Sequence, residues 1–210
     1  MSDASQSFLA KSTVKAADLE HRRTINFNIG RYNAVVPQGK LQFEDVHHVR
    51  ELAKNIKWQA IENLDTLLEN FEKKFTARGG KVIWAETTQQ AIDEIVRICK
   101  EKNCKTLVKS KSMATEEIHL NKAMQEHGIE SVETDLGEYI QQLDDEPPYH
   151  IVTPAMHKSK EDVAKLFAEK LGTDPKLSPQ ELTLVARNIL RKKYVEAEVG
   201  VTGANFIIGD

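Results

Sequence analysis

Apolar and polar positions divide the chain into two regimes. Residues 13–76 carry the helical period, and the stretch after the PQGK break places Val46, Val49, Ala53, Ile56, Leu64, Leu67, Leu68, Phe71 and Phe75 in its apolar set. From Leu64 onward these positions recur as i, i+3, i+4, i+7, the signature of an amphipathic helix face. Arg78-Gly79-Gly80, a basic last turn followed by glycine, predicts the end of that helix. No strand-like run interrupts this region, so residues 1–79 are expected to be a helical extension packed on a neighbouring domain.

From residue 80 short β-type runs alternate with helical ones. Strands are expected at KVIWA (81–85), KTLVKS (105–110), IESVET (129–134), YHIVT (149–153) and NFIIG (205–209). Helices are expected from Thr88 to about Lys102, from about Thr115 to His127, and over 136–143, 160–171 and 179–196. Such alternation predicts right-handed βαβ units: an α/β domain over 80–210 with a mainly parallel sheet and helices on both faces. Ser178-Pro179-Gln180-Glu181 is a strong capping box, while Thr87-Thr88-Gln89-Gln90 and Asp135-Leu136-Gly137-Glu138 are weaker ones. Core faces are expected at Ile92, Ile95, Val96 and Cys99, and at Val163, Leu166, Phe167 and Leu171. An apolar strand ending two residues before the last position would need a partner and a cover, so the protein is expected to continue past Asp210.

Composition narrows the class. The 210 residues hold 29 basic and 32 acidic side chains, a net charge of −3, which leaves no basic excess to neutralise nucleic-acid phosphates. No run of 18 apolar residues occurs, so no membrane span is expected. The first thirty residues lack a signal-peptide block, and the expectation is a cytoplasmic protein. Cys99 and Cys104, spaced C-x4-C, are too few for a disulfide scaffold, a Cys-only zinc site or an iron–sulfur cluster and read as buried structural thiols.

In open parallel sheets, ligands bind beyond the carboxyl ends of the strands, which directs attention to four loops. The first holds Lys109, Ser110, Lys111, Ser112, Thr115 and Glu116 just before a helix start. Its two lysines and three hydroxyls suit an anion, although Ser112 or Thr115 serving only as a cap explains the spacing as well. Asp135 in the second is an N-cap or a catalytic carboxylate. Thr153, Pro154 and His157 form the third, where His157 is a general acid or base, an anion contact, or a solvated or capping residue. Thr202, Gly203 and Asn205 lie in the fourth, GVTGAN over 200–205, where two glycines allow close approach to a ligand or make a tight turn. His47 and His48 are adjacent and diverge on a helix, and His119 and His127 are too far apart to chelate. The chain has no G-x-S-x-G, HExxH or C-x-x-C motif and no glycine-rich phosphate loop, so spacing locates a pocket without a reaction.

The same loops carry a family likeness. The run KSKSMATEEIHLNKAMQEHGIESVETDLGEYIQQLDDEPPYHIVTPAMHKSKEDVAKLF (109–167) resembles the lactate-utilisation protein B family, iron–sulfur subunits of a bacterial L-lactate oxidation system. The segment AEVGVTGANFIIGD (197–210) resembles another part of that family, and HRRTINFNIGRYNA (21–34) is compatible with its N-terminal helices. The resemblance implies a LUD (lactate-utilisation) domain with a NagB/RpiA/CoA-transferase-like fold, the group of ribose-phosphate isomerases and CoA transferases. It implies two 4Fe–4S clusters in the full-length protein and none bound by these residues. The implied partners are other subunits of a lactate-utilisation complex, with a small carboxylate as a further ligand at the four loops. The glutamate of the CoA transferases has no match here, so transferase activity does not carry over. A non-catalytic scaffold that docks partner subunits is the competing reading.

Overall fold

The computed structural model describes residues 3–149 and 153–204. Four helices come first: α1 (Asp3–Ala17), α2 (Leu19–Lys40), α3 (Val46–Glu62) and α4 (Leu64–Ala77). They are followed by α5 (Thr88–Glu101), β1 (Thr106–Lys109), α6 (Met113–Glu117), α7 (Leu120–Glu126), β2 (Glu130–Glu133), α8 (Leu136–Asp144), α9 (Lys160–Leu171), α10 (Pro179–Glu196) and β3 (Val199–Val201). The chain divides into two compact units, Ile29–Glu86 and the combination of Met1–Asn28 with Thr87–Asp210.

The sheet is parallel, in the order β2-β1-β3. Because neighbouring side chains on a strand point to opposite faces, β1 serves two cores. Val108 joins Val132 and the inward faces of α8, α9 and α10, including Ile140, Phe167 and Ala186. Leu107 joins α5 and α7 through Val96, Cys99, Leu120 and Met124. Helices therefore cover both faces, as the alternation predicts, and this is an α/β fold.

Helix ends follow their local signals. Ser178 accepts a hydrogen bond from the Glu181 amide at 3.3 Å while Glu181 accepts from the Ser178 amide at 2.7 Å, closing the capping box that the sequence indicates. Ser178→Ala is expected to lower stability by about 1 kcal/mol in urea denaturation. Four helices end in the same double bond, α8 among them, where the amides of Asp145, itself at positive φ, and Glu146 donate to Gln142 and Gln141. After α4, the amides of Gly79 and Gly80 donate to Thr76 and Phe75; after α5, those of Asn103 and Cys104 donate to Lys100 and Cys99; after α7, those of Gly128 and Ile129 donate to Gln125 and Met124. Gly79, Asn103 and Gly128 supply the positive φ that this Schellman ending requires. The motif sets an apolar contact between residues five apart, which explains the C-x4-C spacing. Cys104 folds back on Cys99, both are buried, and burial pushes both thiols up, Cys104 to about 12.

Several expected elements come out differently. KVIWA (81–85) is not a strand: Ile83 and Trp84 are exposed, and among the described residues β1, β2 and β3 pair with one another. Period alone does not supply the neighbouring backbone a strand needs. The helix expected over 115–127 is two, α6 and α7, separated by His119 in the left-handed region. The break expected at PQGK falls later, since Pro37 sits in the last turn of α2, where its missing N–H removes a single helical bond. The loop expected over 200–205 begins inside β3. In YHIVT, Tyr149 and Thr153 lie outside any strand, and residues 150–152, like NFIIG, lie outside the described residues.

Candidate functional site

The parallel register brings Lys109 and Glu133, the last residues of β1 and β2, side by side at the carboxyl end of the sheet. Lys109 is 1% exposed, and its Nζ lies 2.5 Å from Glu133 Oε1, 3.0 Å from Glu116 Oε1 and 3.1 Å from Asn121 Oδ1. Asn121 donates to Glu133 at 2.9 Å and accepts from Ser131 at 2.8 Å. The break at His119 has a consequence here: it lets α6 contribute Glu116 and α7 contribute Asn121 to one ammonium. A buried ammonium requires this density of partners, because desolvating an unpaired charge costs several kcal/mol.

Glu138, in the first turn of α8, extends the cluster. It is 2% exposed, and burial, reinforced by the charges of Glu133 and Glu116, pushes its carboxyl up to about 7 against the weaker pull of Lys111. Gln141, on the same face of α8 three residues on, is 1% exposed, and neither end of its amide has a hydrogen-bond partner among the described residues. Gln142 instead binds the outer edge of β2, accepting from the Glu133 amide at 3.0 Å and donating to the Ser131 carbonyl at 2.7 Å. Together these residues border an open cavity of about 750 Å³ beside β2, α7 and α8.

The other expected site residues fall into several groups. Ser112 caps α6, accepting from the Thr115 amide at 3.2 Å, and Thr115 returns a bond to the Ser112 carbonyl at 3.1 Å; Lys111 is exposed. Ser110 and Thr202 share a 2.8 Å hydroxyl bond, and Gly203 lies so close that a Cβ there would meet Ser112 Oγ at 1.7 Å. What Gly203 admits in this structure is thus a neighbouring side chain. Gly203→Ala is expected to cost about 1 kcal/mol, and the added Ser112→Gly change to restore most of it, read by thermal denaturation. Asp135 caps α8, accepting from the amides of Gly137 and Glu138, and Pro154 lies against Gly137. Asn205 lies outside the described residues.

Thr153 is exposed, and His157 belongs to a separate cluster. Its Nε2 lies 3.0 Å from Glu146 Oε2, its ring meets that of Tyr149 edge-on at 4.5 Å, and the Tyr149 hydroxyl lies 3.0 Å from His21 Nε2. Burial, then the nearby Lys15 and His157, lowers the pKa of His21. Burial raises that of Glu146, but hydrogen bonds from Lys158 and His157 outweigh it and hold the carboxyl low. Asn28 on α2 donates to the Met156 carbonyl at 2.8 Å, so the start of α2 is fastened to this loop at two points.

The chemistry available is charge compensation and proton binding. Two thiols cannot supply the four cysteine ligands of a 4Fe–4S cluster, and both belong to a packed core, so the residues present do not fit that cofactor. Among the described residues no three His, Cys, Asp or Glu side chains are grouped to hold a metal ion, and no helix is long and apolar enough to cross a membrane.

Residues 68–210 match the family model of the LUD domain. The chain is 49% identical over 162 residues to lactate utilization protein B of Bacillus licheniformis and 48% identical over 162 residues to that of Bacillus subtilis, in each case covering 77% of this chain and 34% of the relative. The protein of the same name from Oceanobacillus iheyensis is 45% identical over 161 residues, with the same coverage. The match thus spans about a third of the length of these curated relatives. No solved structure gives a significant match. With the model matched across most of the chain, and the parallel sheet with its polar strand ends described within that match, the chain belongs to the LUD-domain family.

Proposed function

We propose that this chain is the LUD-domain portion of an iron–sulfur electron-transfer protein that supports oxidation of L-lactate to pyruvate. The observation that carries this reading is the 49% identity, over 162 residues, to a protein named for lactate utilization. In this reading the two 4Fe–4S clusters belong to cysteines other than Cys99 and Cys104, the working partners are other subunits of a lactate-utilisation complex, and the compartment is the cytoplasm.

Two roles for the domain compete, a pocket for a small carboxylate and a scaffold for partner subunits. The charge distribution favours the second at the Lys109 cluster. The single positive charge of Lys109 is answered by Glu116 and Glu133, leaving none for a lactate carboxylate. The test is to purify the tagged full-length protein from lactate-grown cells and measure L-lactate-dependent dye reduction. Co-purification of partner subunits with dye reduction is expected; a solitary protein that reduces no dye with L-lactate would sink the reading.

A further inference from the structure

We propose that the open groove between the start of α8 and α10 docks an acidic helix of a partner protein, with Arg187 and Arg191 pairing two carboxylates that stand one turn apart. The proposal rests on the reading that the domain works inside an assembly, and it specifies the surface and the chemistry of one contact. The groove, of about 380 Å³, is bordered by Thr134, the residue that follows β2, and so opens at the carboxyl end of the sheet. Leu136 and Leu190 give it apolar surface, and Arg187, Arg191 and Tyr194 line its α10 side.

The arginines come first. Arg187 and Arg191 are four residues apart on one helix face, both are exposed, and neither has an ion-pair or hydrogen-bond partner for its guanidinium among the described residues. Their own helix offers none: the other positions three and four residues away are Thr183, Leu184, Asn188, Leu190, Tyr194 and Val195. Arg97 on α5 is the contrast, an arginine that takes Glu94 and Glu101 at just those spacings. Like charges four residues apart repel each other, so folding gains nothing from this pair. The helix dipole accounts for Lys193 in the last turn but does not reach back to Arg187. Over 187–196 four cations, Arg187, Arg191, Lys192 and Lys193, stand against Glu196 alone, in a chain of net charge −3. Glu130 answers Lys193. Asp135, next to Leu136, turns its Oδ1 to the amides of Gly137 and Glu138 and pairs with neither arginine. A surface of one sign draws partners of the other.

The apolar surface is the independent observation. Leu136, Leu184, Tyr194 and Val195 are all exposed around the two arginines. Arginine and tyrosine set among apolar side chains make the composition of an interface centre, where charges are paired and water is excluded. This mixture selects the occupant. A free phosphate or a small carboxylate would engage the guanidiniums and leave the apolar surface wet. A nucleic-acid duplex needs a run of cations along its backbone, and here the cations are interrupted by Leu190, Tyr194 and Val195. An amphipathic acidic helix meets both demands. Its carboxylates recur at the one-turn spacing of Arg187 and Arg191, each a match for a guanidinium fork, and its apolar side chains cover Leu136 and Leu190.

The test is an NMR titration of the full chain with a lactam-stapled alanine–leucine helix carrying glutamates four residues apart, and with the same helix carrying glutamines. The acidic helix is expected to shift the backbone amides of Leu136, Leu190 and Tyr194. Its affinity should weaken about fivefold in 0.5 M salt and about tenfold when Arg187→Gln and Arg191→Gln are combined, two changes at exposed side chains without partners. Lys192→Gln, on α10 but outside the groove, should change it less than about twofold. No shift, equal binding of the glutamine helix, an effect of Lys192→Gln as large as that of the double variant, or tighter binding of a DNA duplex or of phosphatidylglycerol vesicles at the same amides would overturn the proposal. The full-length protein purified from lactate-grown cells separates this contact from the wider reading. Partner subunits held by the parent and lost from the double variant are the expected result. Subunits held equally by both, with L-lactate-dependent dye reduction in the parent, remove this contact alone. A solitary parent that reduces no dye removes the reading beneath it.

Discussion

Lys109→Met is expected to destabilise the protein by about 3–5 kcal/mol, read as a lower midpoint in urea denaturation with little change in slope. Methionine fills the volume but leaves Glu133, 3% exposed, with Asn121 as its remaining hydrogen-bond donor and Glu116 as a like charge across the vacated position. The loss comes from an uncompensated buried charge more than from a missing attraction. The double change Lys109→Met with Glu133→Leu should therefore recover much of it, since replacing both members of a buried pair by apolar groups is often close to neutral. A single variant within 1 kcal/mol of the parent would show that the strand ends do not depend on this ion pair.

Glu138→Gln is expected to stabilise the protein by about 3 kcal/mol above pH 7 and to have little effect near pH 4. The sign follows from proton counting. With the folded-state value pushed up to about 7 from an ordinary 4.5, the native protein holds more protons than the unfolded chain between those values. Stability contributed through Glu138 therefore falls as pH rises from about 4.5 to about 7 and is constant beyond it. Glutamine keeps the shape and removes the charge, so the difference between variant and parent should grow across that window and then level off. A difference independent of pH would mean that Glu138 is ionised in the folded protein throughout. A stabilising change at a buried carboxylate is also what a site kept for binding would show, since binding sites carry strain that the fold alone does not need.

Most of the architecture was legible because it is local. The period of α9, with Leu166 and Phe167 in the core, and the capping box at Ser178 each follow from residues close in sequence. What escaped depends on neighbours far along the chain. KVIWA has the composition of a strand but no ladder, and the break at His119 interrupts a run whose flanking residues both suit a helix. The site divides in the same way. Lys109, Glu116 and Glu133 could be placed near strand ends, but Asn121, Ser131, Glu138 and Gln141 become visible only once β1 and β2 are in register and α7 and α8 have closed over them. One signal was available: TLVK and ESVE are short strands that each end in a charge of opposite sign, which in adjacent parallel strands predicts an ion pair. The cluster of His21, Tyr149 and His157 spans more than a hundred residues of sequence and left no such trace.

The most direct test of the proposed role is growth. Deleting the gene in its own host and supplying L-lactate as the sole carbon source should abolish growth, while growth on pyruvate remains and the restored gene rescues the defect. Unchanged growth on L-lactate after deletion, with no second copy of the gene present, would contradict it.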